Sequence, residues 1–501
     1  MKRSTIILLS FLAALVVAVT IVVLRADRTA ENIVSERLTQ LADEQHLSLS
    51  WSDLRIRLMH GTVRVDSLQV GLATADSLTG DTTFIALSVP RLDIGRIHWL
   101  PLLRHRIARI DRVRLTNAAV ELTKLKDHTA LSVDSLSLAA YDLSYNLTDS
   151  TFAYNDSVYL LDLGPLRYTS PDSLFAATVG HLSTQDAGSI VISNIAGGNT
   201  DRKEEHAVRM GKQEVTWARF NLSELRTSPV NIIRLALSGE VAIDSVALSG
   251  PLTDIYYDAH FPPKEPYPLP QESLAAIKMP LRIGQFSASL GKLHIGMTFD
   301  GKHSGALDLR SINARIANIT NAPDSTMRTA LTMRMGEKGK AHINTAMQIN
   351  KRGTFTYSAE LHELRGSDLA GLTEPMLGVN LTCNFHSITT RCKGDSETMN
   401  GTFCMLYDSL SIHVNDHGPM DQLSRFAWAV NAFAPIMLYN RNPRGDREEP
   451  KSFDVSATHD PMLPFPAYFL GVINDGMLQT ILPFGMGKGM MNKQKPKQKK
   501  E

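Results

Sequence analysis

The sequence predicts a mainly β protein. The expected fold is an elongated antiparallel β-groove with an N-terminal transmembrane helix, a short following helix and C-terminal helices. Three observations carry this. Nineteen uncharged residues, Ile6 to Leu24, stand near the start of the chain behind Lys2 and Arg3. Apolar residues then alternate with polar ones at period two through most of residues 47–415. Helical spacing returns only near the end, from Leu423 onward.

The first run matches the ~20 apolar residues needed to cross a hydrocarbon core of about 30 Å. Lys2 and Arg3 hold the amino terminus in the cytoplasm and send the rest of the chain across. The run is longer than the apolar core of a cleaved signal, and Arg25-Ala26-Asp27-Arg28 offers no small-x-small site. An uncleaved anchor is therefore preferred over a cleaved signal.

Composition bounds the remainder. The formal net charge is +1 and charged residues make up 21%, which gives no bulk case for nucleic-acid binding. Hydrophobic residues at 43% suffice for a substantial core and argue against global disorder. Cys383, Cys392 and Cys404 are too few for a disulfide framework. Two readings stay open: a Cys383–Cys392 disulfide across a hairpin, or three small buried hydrophobes.

Taken in order, Ala30, Val34, Leu38 and Leu41 recur at helical spacing and predict one amphipathic helix over 28–45. From Leu47 the period changes to two: Leu47/Leu49/Trp51, Leu54/Ile56/Leu58, a turn at His60-Gly61, then Val63/Val65 and Leu68/Val70/Leu72. This polarity marks strands with one dry and one wet face. Ile85/Leu87/Val89, Leu92/Ile94, Val113/Leu115 and Val120/Leu122 repeat it. Trp99-Leu100-Pro101-Leu102-Leu103 between them reads as an apolar loop rimmed by arginines, either plugging the core or meeting anionic head groups.

The alternation continues through Leu131/Val133, Leu136/Leu138, Ile190/Ile192, Val241/Ile243, Val246/Leu248, Leu307/Leu309, Ala341/Ile343 and Leu410/Ile412/Val414. Gly197–Glu205 and Pro262–Gln271 interrupt it as long loops or a break between two stacked sections. Leu423 to Met437 predicts a helix, and Ala467 to Leu482 a capping or interfacial helix. The lysine-rich tail is either solvated or held by anionic lipid. The expected organisation is a cytoplasmic stub and anchor (1–25), a helix with the first β section (26–130), two β-groove sections (131–261 and 262–415), helical segments (416–485) and a basic disordered tail (486–501).

One triplet recurs: Asp, then Ser or Thr, then an apolar residue or Thr. Its central residues are Ser67, Ser77, Thr82, Ser135, Ser150, Ser157, Ser173, Ser245, Ser325 and Ser409. Composition alone gives roughly two. Asp and Ser favour turns, so the triplet is expected where a strand starts. It also resembles the O-glycosylation acceptor of exported proteins in some diderm bacteria, which would place these residues at the surface.

Catalytic punctuation is missing. The chain has no Gly-x-Ser-x-Gly elbow, no His-Glu-x-x-His and no phosphate loop. His362-Glu363 has no second ligand at helical spacing. The reading is a non-enzyme with no cofactor, no metal and no catalytic residue. A long one-sided sheet held at a membrane exposes more apolar surface than a soluble monomer leaves unused. Acyl chains would fill such a groove at about 0.8 kcal/mol per buried methylene. Some 25–30 strands stacked at about 4.8 Å would form a body of roughly 120–140 Å.

Several stretches resemble the AsmA-like proteins of diderm envelopes. They are the anchor and short helix, Val89-Pro90-Arg91-Leu92-Asp93-Ile94, Pro101-Leu102-Leu103 and Ile107-x-x-Ile110-x-x-Val113-x-Leu115 leading into Ala119-Val120-Glu121-Leu122. Near the end, Asn400-Gly401 to Tyr407-Asp408-Ser409-Leu410 is similar to that family's late G-x-(4–5)-Y-x-x-L strand pair, and Ala467–Leu482 to its terminal helix. The resemblance implies a single-pass inner-membrane protein, N-terminus cytoplasmic, with a taco-like β-groove in the periplasm. It implies lipid transport or envelope homeostasis, with phospholipid or another acyl-chain lipid as cargo and no catalytic residues to carry over. The alternative is a structural assembly factor whose sheet binds outer-membrane or envelope proteins or polysaccharide.

Overall fold

The computed structural model describes the chain between residues 35 and 482, apart from residues 37, 41–46, 58–59, 76–81, 125–129, 147, 149–150, 154–158, 186–187, 212–214, 231–238, 259, 262, 264, 299–301, 351, 416–430, 432–437 and 446–447. The Ile6–Leu24 anchor, the basic tail and all but Asn431 of the helix expected over Leu423–Met437 lie outside the described residues. Residues 35, 36 and 38–40 are helical, inside the range expected for the first amphipathic helix. No described helix is long and apolar enough to cross a membrane.

The protein is mainly β, and the described strand pairs are antiparallel. Two compact units divide it: residues 1–200 with 221–243, and residues 201–220 with 244–501. One dividing line falls between residues 200 and 201, and the other two inside β12 (Val215–Pro229) and β13 (Val241–Asp258).

In the first unit, β1 (Leu47–Ser50) and β2 (Asp53–Arg57) pair end to end along β3 (Thr62–Ala75). A meander follows through β4 (Thr82–His98), β5 (Ile107–Lys124) and β6 (Ala130–Asn146). β7 (Thr151–Ala153), β8 (Tyr159–Leu163) and β9 (Leu166–Thr169) share the far edge of β6. β10 (Phe175–Gln185) and β11 (Ser189–Asn199) complete it. Gly61 turns β2 into β3 at φ +60, where a Cβ would meet the Ile97 backbone. Trp99–His105 is a short helix, α1, and not the expected loop. Its Pro101 sits in the first turn, where a missing N–H costs nothing.

The second unit is a meander of β14 (Leu281–Thr298), β15 (Ser304–Thr320), β16 (Thr326–Met335), β17 (Gly339–Gln348), β18 (Phe355–Arg365), β19 (Val379–Gly394), β20 (Thr398–Val414) and β21 (Ser452–Thr458). Helices α2 (Lys203–Met210), α3 (Pro270–Ala275), α4 (Ala370–Leu377) and α5 (Phe465–Ile481) belong to it. The Gly197–Glu205 stretch, expected as a long loop or a break between sections, holds the end of β11 and the start of α2, and the boundary between the two units at residues 200 and 201 falls within it. β21 falls within the segment expected to be helical.

The described strands number 21 and are longer than the sequence suggests, up to 18 residues each. The reason is where the Asp-Ser triplets sit. In β3 the apolar phase changes from Val63/Val65 to Leu68/Val70/Leu72, and Ser67 between them has φ 54. In β5 it changes from Val113/Leu115 to Ala118/Val120/Leu122, with Asn117 at φ 51 and a register shift there. In β4 and β6 the change falls at Pro90-Arg91 and Asp134-Ser135. Asp66 faces Arg91 and Leu68 faces Val89, so the steps line up across the sheet. Each is an extra residue that bends its strand and keeps the same face apolar. At Ser67, Ser135 and Ser409 the triplet steps a strand instead of starting one. A second line crosses β18 to β20 at Glu363 (φ 56), His386 and Ser409 (φ 56), with register shifts in the β19–β20 pair.

Each unit has its own core. Leu38, Leu54, Val63, Val65, Val89, Ile94 and Ile110 anchor the first. Phe355, Tyr357, Phe403, Met405 and Tyr407 anchor the second, under Tyr468 and Val472 of α5. Phe469 stacks on Tyr357 with ring centroids 4.1 Å apart, and Gly476 lies so close to Phe403 that a Cβ would strike its ring.

Candidate functional site

Strand register builds one continuous apolar row on the core-bearing face of the first unit's sheet. Val70, Leu87, Val120, Val133, Leu166, Val179 and Ile195 face one another in turn from β3 to β11. Beside it run Leu72, Ile85, Leu122, Leu131, Tyr168 and Ala177. Val133 is buried and the rest of both rows is half-buried. Leu72, Ile85, Leu122 and Leu131 stand outside the packed cluster. Six strand spacings give the first row a span of about 29 Å. The opposite face is charged and exposed, with cross-strand ion pairs such as Arg64–Asp93 at 2.6 Å and Arg91–Asp66 at 3.3 Å. Such pairs add little to stability but leave the two faces chemically distinct.

In the second unit the same alternation lines the inner face, and α5 covers one end of it. Asp475 accepts a hydrogen bond from the Ser456 N–H at 2.9 Å, and Gln479 donates to the Asp454 carbonyl at 2.9 Å. Both backbone groups belong to β21, the last strand of this meander, so α5 blunts that edge. Gln479 also donates to Asp475 at 3.0 Å, which fixes the pair.

The triplet residues are scattered. Ser67, Ser173, Ser245 and Ser409 are exposed; Ser135 and Ser325 are half-buried; Thr82 is the first residue of β4. Thr82 and, just before β10 and β16, Ser173 and Ser325 lie at strand starts as expected, but Ser67, Ser135, Ser245 and Ser409 lie within strands, which corrects the expectation for those four. Ser77, Ser150 and Ser157 lie outside the described residues.

Ser409 donates to Asp408 at 2.7 Å and Asn384 at 2.8 Å, and with His386 they hold its carboxyl down at about 2. The hairpin disulfide is corrected as well. Cys383 and Cys392 lie on one strand, β19, nine residues apart, and both are free and buried. At about 3.3 Å per residue their separation far exceeds disulfide reach. Burial pushes the Cys383 thiol up to about 12, so it carries no thiolate at neutral pH.

No group of three or more His, Cys, Asp or Glu among the described residues could hold a metal ion. The buried Asp201–His206 pair, 3.0 Å apart, has a structural role. The Asp201 carbonyl also accepts from Trp217 and Arg219, tying the start of α2 to β12. No family model, curated protein or solved structure matches the chain. Sequence reading missed the strand steps as steps. The signal was present as phase slips in the alternation at Asp66-Ser67, Asp134-Ser135 and Asp408-Ser409.

Proposed function

We propose that this protein binds acyl chains of phospholipid or a similar lipid along its apolar sheet face, anchored by its N-terminal segment in the inner membrane with its bulk in the periplasm. It acts there in lipid transport or envelope homeostasis. The observation that carries this is the double row, Val70 to Ile195 across seven strands and Leu72 to Ala177 across six, half-buried except at Val133. An apolar surface of that extent is unfavourable in water and is stabilised by an apolar occupant. The resemblance to AsmA-like proteins supports the same reading.

The assembly-factor alternative draws less support, because the β21 edge that could have added a partner strand is already capped by Asp475 and Gln479. The test is to purify the full chain in mild neutral detergent, identify co-purifying lipid by mass spectrometry, and follow uptake of labelled phospholipid. Stoichiometric lipid is expected. Repeated recovery without lipid, together with no uptake, overturns the proposal.

A further inference from the structure

The second unit also carries a cavity of about 1620 Å³. Its lining takes three adjacent cross-strand rows, the middle one running through Tyr357 and Cys392. Those two residues are buried in the core. Successive strand residues point to opposite faces, so the flanking rows belong to the face turned away from that core. One row holds Arg328 and Lys393 and the other Arg315 and Arg391, with Ala330, Ala346 and Thr356 among the small residues between.

The four cations form two pairs. Arg315 and Arg328 stand on β15 and β16; Arg391 and Lys393 stand on β19. Arg328 and Lys393 are three strand spacings apart, about 14 Å, and Arg315 and Arg391 four, about 19 Å. The side chains of Arg315, Arg328 and Lys393 have no hydrogen-bond or ion partner among the described residues. Arg391 reaches Glu360 at 3.8 Å. Two carboxylates line the β21 end, and Asp475 there is engaged by Ser456 and Gln479. Like charges gathered without partners repel, and an anion between them removes that cost.

We propose that this cavity binds a soluble, extended ligand carrying phosphate groups, one group held by Arg315 and Arg328 and another by Arg391 and Lys393. Guanidinium forks match phosphate oxygens in bidentate geometry. The small residues between the pairs leave room for the linking chain. A recess of this kind admits a flexible oligoanion and not a planar bilayer surface. The site lies on the face opposite the core of its unit and stands independently of the lipid reading.

The test uses the full chain in neutral detergent and three probes: a short linear polyphosphate, inorganic phosphate and phosphatidylglycerol vesicles. Polyphosphate is expected to bind at least tenfold more tightly than inorganic phosphate, and to weaken as salt rises. Arg328→Ala with Lys393→Ala should weaken polyphosphate at least tenfold, while Arg112→Ala in the first unit leaves it unchanged. These side chains are exposed, and circular dichroism verifies that the double variant folds. Equal affinity for the two phosphates, an unaffected double variant, or binding to vesicles alone overturns the proposal.

Discussion

Leu122→Asp separates lipid binding from folding. Leu122 is half-buried on β5 between Ile85 and Leu131 and lies outside the packed core. An aspartate there keeps its hydration while the face is empty, so the fold should survive. An acyl chain crossing one strand spacing of ~4.8 Å presents about four methylenes, worth about 3 kcal/mol. A carboxylate forfeits that contact and resists losing its water, which adds further cost. Uptake of labelled phospholipid should therefore fall at least about 100-fold. Thr123→Asp, one residue along on the exposed face, should bind like the parent. The assay is fluorescence titration of labelled phospholipid into each variant, with circular dichroism to verify the fold. Equal uptake by Leu122→Asp and the parent refutes the reasoning.

Other outcomes follow from the geometry. Ser67→Gly should stabilise the protein by about 1 kcal/mol in urea titrations, since glycine adopts φ 54 without steric cost, whereas Ser67→Val should destabilise it. Asp475→Ala strands the Ser456 N–H and should cost about 1–3 kcal/mol; unchanged stability in the same titration would show that the edge cap is idle. The Asp408 carboxyl is depressed, so its contribution is present above the ordinary carboxylate range and fades as pH falls from about 4 towards about 2. Asp408→Asn should remove that part of the acid dependence, read from stability measured at stepped pH. Alkylation in denaturant without reductant should add three labels per chain by intact mass, one for each cysteine; one label would mean a disulfide.

The period-two alternation was enough to predict a mainly β chain, because a sheet with one dry face writes its geometry directly into side-chain order. The pairing of Val70, Leu87 and Val120 needed strand register, which no single strand encodes. Asp66-Ser67-Leu68 looked like a break because Asp and Ser commonly end strands. Within a sheet, neighbouring strands override that local preference and hold Ser67 in a left-handed conformation. The four cations of the second unit were also invisible. Arg315 and Arg391 are 76 positions apart in the chain and share a row only through three intervening strands. Trp99–His105 misled for a different reason: seven residues are too few to display a helical period.

The aligned steps in β3 to β6 separate the length of that sheet from its profile. These four strands turn at the same height, so a duplicated hairpin carrying its own kink there would extend the first unit without redrawing its cross-section.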